Sequence, residues 1–118
     1  MQSFRKLRVW QRAHSVVLDI YRETRNFPDD ERFGLVSQMR RAAVSVSTNI
    51  AEGARRESRA EYARFLNIAE GSASESEALL LIGQDLGMLD APCAEQLLVE
   101  FEEIGKMLHA LRLRVGKG

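Results

Sequence analysis

The side chains best suited to catalysis or metal binding in this sequence are two histidines and one cysteine. His14 and His109 fall within predicted helices, but the residues three positions before them are Gln11 and Lys106. The Glu-x-x-His spacing with which di-iron helical bundles bind metal is therefore absent. Cys93 follows a predicted helix start, where a thiol pKa can be lowered, yet no residue near it in the sequence would pair with it. We predict no catalytic, cofactor or metal site; an enzyme or metal protein that uses these three residues remains an alternative.

Clusters of arginine offer a different chemistry, the binding of phosphate. Arginine outnumbers lysine by 14 to 3, and the planar guanidinium suits bidentate contacts with phosphate oxygens. We predict that nine basic residues in three groups bind nucleic acid. They are Arg5, Lys6, Arg8 and Arg12; Arg40 and Arg41; and Arg55, Arg56 and Arg59. The last group also lies near a helix C-terminus, where cations are favoured without any ligand. No RNP-like motif occurs among these groups, so base-specific recognition is not indicated.

Four amphipathic segments must position these residues. They cover approximately residues 7–25, 32–55, 59–86 and 91–114. Pro28 ends the first segment because the residue before a proline disfavours the α conformation, and residues 28–31 form a turn leading into the second. Ser58 and Glu61 have the spacing of a capping box, and Asp90 caps the fourth segment. Since helices of this length are joined by short loops and no strand pattern occurs, we predict an all-α, antiparallel up-down four-helix bundle with one domain over residues 1–118.

The apolar surface of these helices exceeds what one bundle core requires. The apolar arc of the first helix spans about 200°, twice the roughly 100° stripe of a single core contact. The third helix is apolar on nearly every side over residues 78–82. We therefore predict a homo-oligomer, with Trp10, Leu81 and Ile82 as interface candidates. A monomer with a few exposed leucines is the alternative.

The pentapeptide Asn-Ile-Ala-Glu-Gly occurs twice, at residues 49–53 and 67–71. A turn near residues 57–58 places Asn49 and Asn67 at the same height in the hairpin, so we expect a buried or half-buried asparagine pair that fixes the helix register. Gly53 and Gly71 lack side chains and permit close backbone approach. We interpret the repeat as architectural, and mostly as a product of helical phase.

Charge is distributed unevenly along a chain whose net charge is zero. Residues 1–59 carry +5, residues 60–105 carry −9 and residues 106–118 carry +4. Opposed charges favour head-to-tail self-association or the binding of an anion on one side. The alternative is that these are solvated charges distributed over the helices by chance. No signal peptide and no apolar run of roughly 20 residues is visible. Because a single cysteine fits a reducing compartment, we expect a cytoplasmic protein.

Several stretches of the sequence resemble a known family. They are "FRKLRVWQRA", "FPDDERFGLVSQMRRAAVSVSTNIAEGARRES", "EYARFLNIAEGSASESEALLLIGQDLGML" and the closing leucine repeat. Together they resemble the bacterial four-helix bundle proteins encoded within intervening sequences of 23S ribosomal RNA genes, a family similar to the accessory variability protein of diversity-generating retroelements. Residues 38–53 are the most specific part, and Ser47 is a departure because family members commonly carry proline there.

The resemblance implies a homopentameric ring. In the retroelement relatives it also implies binding of nucleic acid and a reverse transcriptase through a basic surface. It implies no catalytic residues. We therefore predict a non-enzymatic homo-oligomer that binds RNA or nucleoprotein through its arginines, with no cofactor, membrane or small-molecule substrate. The alternative is a protein–protein interaction scaffold whose basic face meets an acidic protein partner.

Overall fold

In a computed structural model that describes residues 3–117, these residues form four α-helices and no strand. The helices are α1 (Arg8–Thr24), α2 (Leu35–Ala54), α3 (Arg59–Asp85) and α4 (Ala91–Gly116). Two 3-10 turns, Phe4–Lys6 and Asp29–Glu31, precede α1 and α2. Each helix packs on the next in the chain, and α4 packs on α1. The chain reverses at every connection, which gives an up-down bundle of 46 × 22 × 20 Å.

The core is built from one apolar stripe on each helix. Along α4 the buried residues are spaced by four and three positions, at Leu97, Phe101, Ile104 and Leu108. The buried residues of α1 are spaced in the same way from Val9 to Ile20. Such spacing keeps one side of a helix against its neighbours over several turns. All four stripes meet in one continuous cluster of buried residues, so the bundle has a single core.

The ends of α3 and α4 follow the predicted capping chemistry. The Ser58 hydroxyl accepts a hydrogen bond from the Glu61 N–H at 3.0 Å, and an Asp90 carboxylate oxygen accepts one from the Cys93 N–H at 2.8 Å. Both bonds satisfy N–H groups that the first helical turn leaves without a partner. Gly87 follows the end of α3, where the chain reverses direction. Its φ of +77° is a left-handed conformation that glycine adopts at low cost.

The second helix begins at Leu35, three residues later than predicted. The acidic residues before it form a separate 3-10 turn, and a Glu31 carboxylate oxygen accepts a hydrogen bond from the Leu35 N–H at 3.2 Å. Glu31 therefore caps α2 from outside the helix. Further along α2, the Ser47 hydroxyl donates to the Val44 carbonyl oxygen at 3.0 Å, and the helix continues without interruption.

The predicted asparagine pair between α2 and α3 is wrong. The Asn49 side chain donates back to the Ser45 carbonyl oxygen at 2.8 Å, while Asn67 is exposed. A serine pair crosses the hairpin instead, because the hydroxyl oxygens of Ser45 and Ser72 lie 2.8 Å apart. Serines are small enough to let the two helix backbones come close and still satisfy each other's hydroxyl groups.

The two glycines of the repeat have different surroundings. A Cβ atom on Gly53 would lie 2.8 Å from the Cβ of Phe65, which confirms close approach of α2 and α3 at this point. At Gly71 nothing lies within 4 Å of the corresponding position, so the predicted close approach is wrong there within one chain.

Candidate nucleic-acid interface

One end of the bundle brings together the start of α1, the α2–α3 hairpin and the end of α4. The Arg55 guanidinium lies 5.1 Å from the centre of the Phe4 ring, which joins the hairpin to the N-terminal turn. Tyr62 lies near the start of α3 and Arg114 in the last turns of α4. Burial raises the pKa of Tyr62, and the charge of Arg114 opposes that rise because the two residues are close. The last turns of α4 therefore lie beside the start of α3. Ten basic residues belong to these segments, and we call this region the basic end. They are Arg5, Lys6, Arg8, Arg55, Arg56, Arg59, Arg64, Arg112, Arg114 and Lys117.

The basic end has a strong local charge in a chain that is neutral as a whole. Its segments, residues 3–9, 52–65 and 109–117, contain ten basic and only three acidic side chains, which gives +7. The remainder of the chain therefore carries −7. A concentration of one sign at one end creates a potential that attracts polyanions even when the net charge is zero.

Six of the nine basic residues predicted to bind nucleic acid lie at this end. They are Arg5, Lys6, Arg8, Arg55, Arg56 and Arg59. The predicted helical row of Arg5, Arg8 and Arg12 is not continuous, because Leu7 is extended with φ of −75° and ψ of 124°. Arg5 and Lys6 therefore lie on the preceding 3-10 turn. The N-terminal group and the hairpin group, about 50 residues apart in the sequence, are joined through the Phe4–Arg55 contact.

The hairpin arginines are held by contacts that leave their charge accessible. Arg56 and Arg64 lie 4.8 and 4.7 Å from the centre of the same ring, Phe65. Arg64 also donates to a carboxylate oxygen of Glu61 at 2.8 Å, a hydrogen bond that lowers the pKa of Glu61. Exposed ion pairs of this kind contribute little, so a phosphate can replace the carboxylate at small cost.

Two of the remaining predicted residues have structural partners instead. Arg12 donates to both carboxylate oxygens of Glu100, at 3.0 and 2.6 Å, and so connects α1 to α4. Arg40 donates to the Thr24 hydroxyl at 2.9 Å and lies 4.4 Å from the centre of the Tyr21 ring, which connects α2 to α1. These contacts explain both arginines without a ligand.

Arg41 is the third predicted residue that lies away from the basic end. It is exposed and lines a shallow cleft between α2 and α3 with Gln38 and Glu75. The nearby carboxylate reduces the attraction of this cleft for a polyanion.

Sequence reasoning missed four residues of the basic end, namely Arg64, Arg112, Arg114 and Lys117. The signal for the last three was the +4 charge of residues 106–118, which becomes informative only when α4 is known to finish beside the hairpin. Arg112 is partly committed within the chain, because its Nε donates to Glu70 at 2.5 Å. His109 Nδ1 lies 3.4 Å from the other oxygen of the same carboxylate.

The predicted oligomer-interface residues fall in two different environments. Leu81 and Ile82 on α3 are 48% and 47% exposed. Trp10 on α1 is half-buried and packs within its own chain, stacked on the His14 ring at 4.8 Å between centres. Exposed apolar side chains that form a contiguous patch are typical of a surface that another protein covers.

The residues considered for catalysis are scattered through the structure. His14 lies on α1 and His109 on α4, and no group of three or more potential metal ligands occurs among residues 3–117. Burial and the neighbouring Glu23 carboxylate raise the pKa of Cys93 to about 11, opposite to the lowering that a helix start can cause. Desolvation and nearby negative charge disfavour a thiolate, and they outweigh the helix start. Within the described residues, no helix is both long and apolar enough to span a bilayer.

Comparison with known proteins supports the resemblance noted in the sequence. Residues 5–110 match the family model described as 23S rRNA-intervening sequence protein. A similar solved structure is that of a protein with unknown function from the S23 ribosomal protein family of Bacteroides thetaiotaomicron VPI-5482. It is 25% identical, has a TM-score of 0.80, and the alignment covers 88% of this chain and 97% of that one. No curated protein matches the chain.

Proposed function

Because the chain belongs to the 23S rRNA-intervening sequence protein family, we propose that it is a non-enzymatic, homo-oligomeric protein that binds RNA through its basic end. The observation that carries this proposal is the gathering of ten basic residues from three separate segments in a chain of zero net charge. The family description refers to ribosomal RNA, so RNA is the polyanion that we propose. Such a partner would place the protein in the cytoplasm.

The proposed contact with RNA depends mainly on electrostatic attraction between arginines and phosphates. Arg55, Arg56 and Arg59 lie at the α2–α3 turn and are exposed, so an RNA backbone can approach them without rearrangement of the core. Their guanidinium groups can donate two parallel hydrogen bonds to one phosphate. Each phosphate neutralised releases condensed counterions, which makes the affinity strongly dependent on salt.

The proposed homo-oligomer is supported by the outer surface of α3. Leu81 and Ile82 are about half exposed, and Ile68, four turns before Ile82, lies on the same side of the helix as Ile82. The accessible surface of the chain, 7134 Å², also exceeds the roughly 6,500 Å² expected for a compact monomer of this mass. Covering the α3 surface with a second copy removes apolar area from water. The family resemblance suggests a pentameric ring. In such a ring several basic ends act together and strengthen the electrostatic potential that attracts RNA.

The RNA proposal is tested by measuring affinity for RNA at several salt concentrations. The variant Arg55→Ala/Arg56→Ala/Arg59→Ala removes three charges from the basic end. The matched control Arg22→Ala/Arg32→Ala/Lys106→Ala removes three exposed charges that lie outside it. We expect the slope of log affinity against log salt to fall by about 2 in the first variant and to stay at the wild-type value in the control. Equal slopes in all three proteins, or a flat response in the wild type, would contradict an RNA site at the basic end.

A further inference from the structure

A line of aromatic rings runs along α1, on the side that faces α2. Trp10, His14 and Tyr21 occur at spacings of four and seven residues, which keeps them on one flank of a helix. The rings of Trp10 and His14 are stacked, with centres 4.8 Å apart and planes 16° from parallel. The Phe4 ring meets the other end of this pair, 5.0 Å from Trp10. We call these four residues the aromatic strip. His14 and Tyr21 are exposed.

An arginine lies at each end of the aromatic strip. At the N-terminal end the Arg55 guanidinium lies 5.1 Å from the Phe4 ring centre, and this arginine belongs to the basic end. At the other end the Arg40 guanidinium lies 4.4 Å from the Tyr21 ring centre. The strip therefore extends the basic end along the side of the bundle, with positive charge where it begins and where it finishes.

The acidic residues of α1 and α2 point away from the strip. Asp19 and Glu23, the two carboxylates of α1, act on the Cys93 thiol of α4, on the opposite flank of the helix. Glu52, the carboxylate of α2, comes twelve residues after Arg40, which turns it by about 120° around the helix from Arg40. It lies 3.8 Å from Arg56. A polyanion that follows the strip from Arg55 to Arg40 thus meets rings and guanidinium groups without a carboxylate of these two helices in its path.

We propose that the aromatic strip binds single-stranded RNA by stacking unpaired bases on its exposed rings, while Arg55 of the basic end holds a flanking phosphate. This inference rests on the proposed function, since it assumes that RNA is bound at the basic end. A base that stacks beyond His14 extends the series of rings begun by Phe4 and Trp10. Bases in a duplex are stacked on one another and have no free faces, so stacking on protein rings selects single strands.

The chain offers a built-in reporter of this contact, because Trp10 is its only tryptophan. The experiment titrates a single-stranded oligoribonucleotide of about 12 nucleotides, and the duplex of the same sequence, while recording affinity and tryptophan fluorescence. The test variant is His14→Ala/Tyr21→Ala. Its matched control is Phe33→Ala, which removes an exposed aromatic ring that belongs neither to the strip nor to the basic end. A third variant, His14→Phe/Tyr21→Phe, keeps both rings and changes only their polar atoms.

We expect the wild type and the control to bind the single strand more tightly than the duplex, with quenching of Trp10 by the single strand only. His14→Ala/Tyr21→Ala should lose roughly 5- to 150-fold in single-strand affinity for each stacked base. Its affinity for the duplex and its salt slope should not change. His14→Phe/Tyr21→Phe should restore the single-strand affinity.

The stacking inference is overturned if His14→Ala/Tyr21→Ala binds the single strand as the wild type does, or if the phenylalanine variant does not restore binding. It is also overturned if the alanine variant changes the molar mass of the particle, because the strip would then be a subunit contact. Equal, salt-dependent binding of both RNAs by the wild type would refute stacking and leave the basic end as the site. Binding of neither RNA would refute the proposed function, and the stacking inference with it.

Discussion

The two copies of Asn-Ile-Ala-Glu-Gly share their sequence and their helical backbone but occupy different surroundings. In the α2 copy, Ile50 is completely buried and Gly53 lies against Phe65. In the α3 copy, Ile68 is 40% exposed and Gly71 faces open space. The buried residue of the second copy is Ala69. The second copy is therefore rotated about its helix axis by about one residue relative to the core, compared with the first copy.

The rest of each helix decides this rotation. The core-facing positions of α3 include Phe65, Leu66 and Ala73, and this stripe brings Ala69 inward. Ile68 and Gly71 then lie outward, on the side that continues to Ile82. The comparison teaches that a local motif has no fixed role, because helical phase relative to the bundle decides which of its residues pack. It also shows that the second copy belongs to the surface that we propose another subunit covers.

Replacing the isoleucines should separate the two copies most clearly. We expect Ile50→Ala to lower the free energy of unfolding by about 2–5 kcal/mol, because a buried side chain is lost and a cavity is left. Ile68→Ala should change the unfolding of a single chain by less than about 0.5 kcal/mol and should act mainly on assembly. Urea unfolding at several protein concentrations checks this, since only the Ile68 effect should vary with concentration. Equal losses in both variants would show that the copies are equivalent.

Replacing the glycines should give effects of opposite sign. Gly53→Ala places a Cβ atom 2.8 Å from the Phe65 Cβ, so overpacking should destabilise the protein by about 1–3 kcal/mol. Gly71→Ala meets no atom within one chain and should stabilise α3 by about 0.5–1 kcal/mol, because alanine favours a helix. Thermal unfolding at low protein concentration checks both signs. A stabilising Gly53→Ala would contradict the close approach of α2 and α3.

The glutamates should differ by a smaller amount. Glu70 accepts from Arg112 Nε at 2.5 Å and its side chain is only 21% exposed, whereas Glu52 lies 3.8 Å from Arg56 and is largely exposed. Glu70→Gln should therefore cost about 1 kcal/mol, and Glu52→Gln about 0.2 kcal/mol. Urea unfolding of both variants at low salt and at 1 M salt measures the difference, which salt should reduce. A larger loss for Glu52→Gln would reverse the comparison.

The asparagines provide the smallest contrast. Asn49 donates to both the Ser45 carbonyl and hydroxyl oxygens, at 2.8 and 3.0 Å, and Asn67 is exposed. Both alanine variants gain the same helix propensity, so the difference between them isolates the hydrogen bonds. We expect Asn49→Ala to be less stable than Asn67→Ala by about 1 kcal/mol. No difference in urea midpoint would mean that the Asn49 contacts contribute nothing.

Much of the fold could be predicted from the sequence because its signals are local. Ser58 and Asp90 cap their helices as expected, and the four amphipathic segments identified the four helices. The α2 start was misplaced because an acidic run can form a 3-10 turn as readily as a first helical turn, and only Glu31 bonding to Leu35 distinguishes them. The asparagine pair failed because equal height in a hairpin does not fix rotation about each helix axis.

The candidate site was only partly predictable, for the same reason. Charge clusters identified the hairpin arginines, but intramolecular partners such as Glu100 for Arg12 are 88 residues away in the sequence. The aromatic strip was also missed. Phe4 and Arg55 become neighbours only after the chain has reversed between α1 and α2, so no spacing along the sequence connects them.

The molar mass in solution, measured by light scattering after gel filtration, tests most directly whether another copy covers the α3 surface. Wild type at micromolar concentration should be a multiple of the 13.4 kDa chain, about 67 kDa for a pentamer. Leu81→Glu/Ile82→Glu should reduce it to a single chain, because charges cannot be buried there without partners. The control is Val99→Glu. Val99 is exposed and lines the same surface cleft as Glu95 and Glu100, so the variant should keep the wild-type mass. A wild-type particle of 13.4 kDa would contradict the proposed assembly.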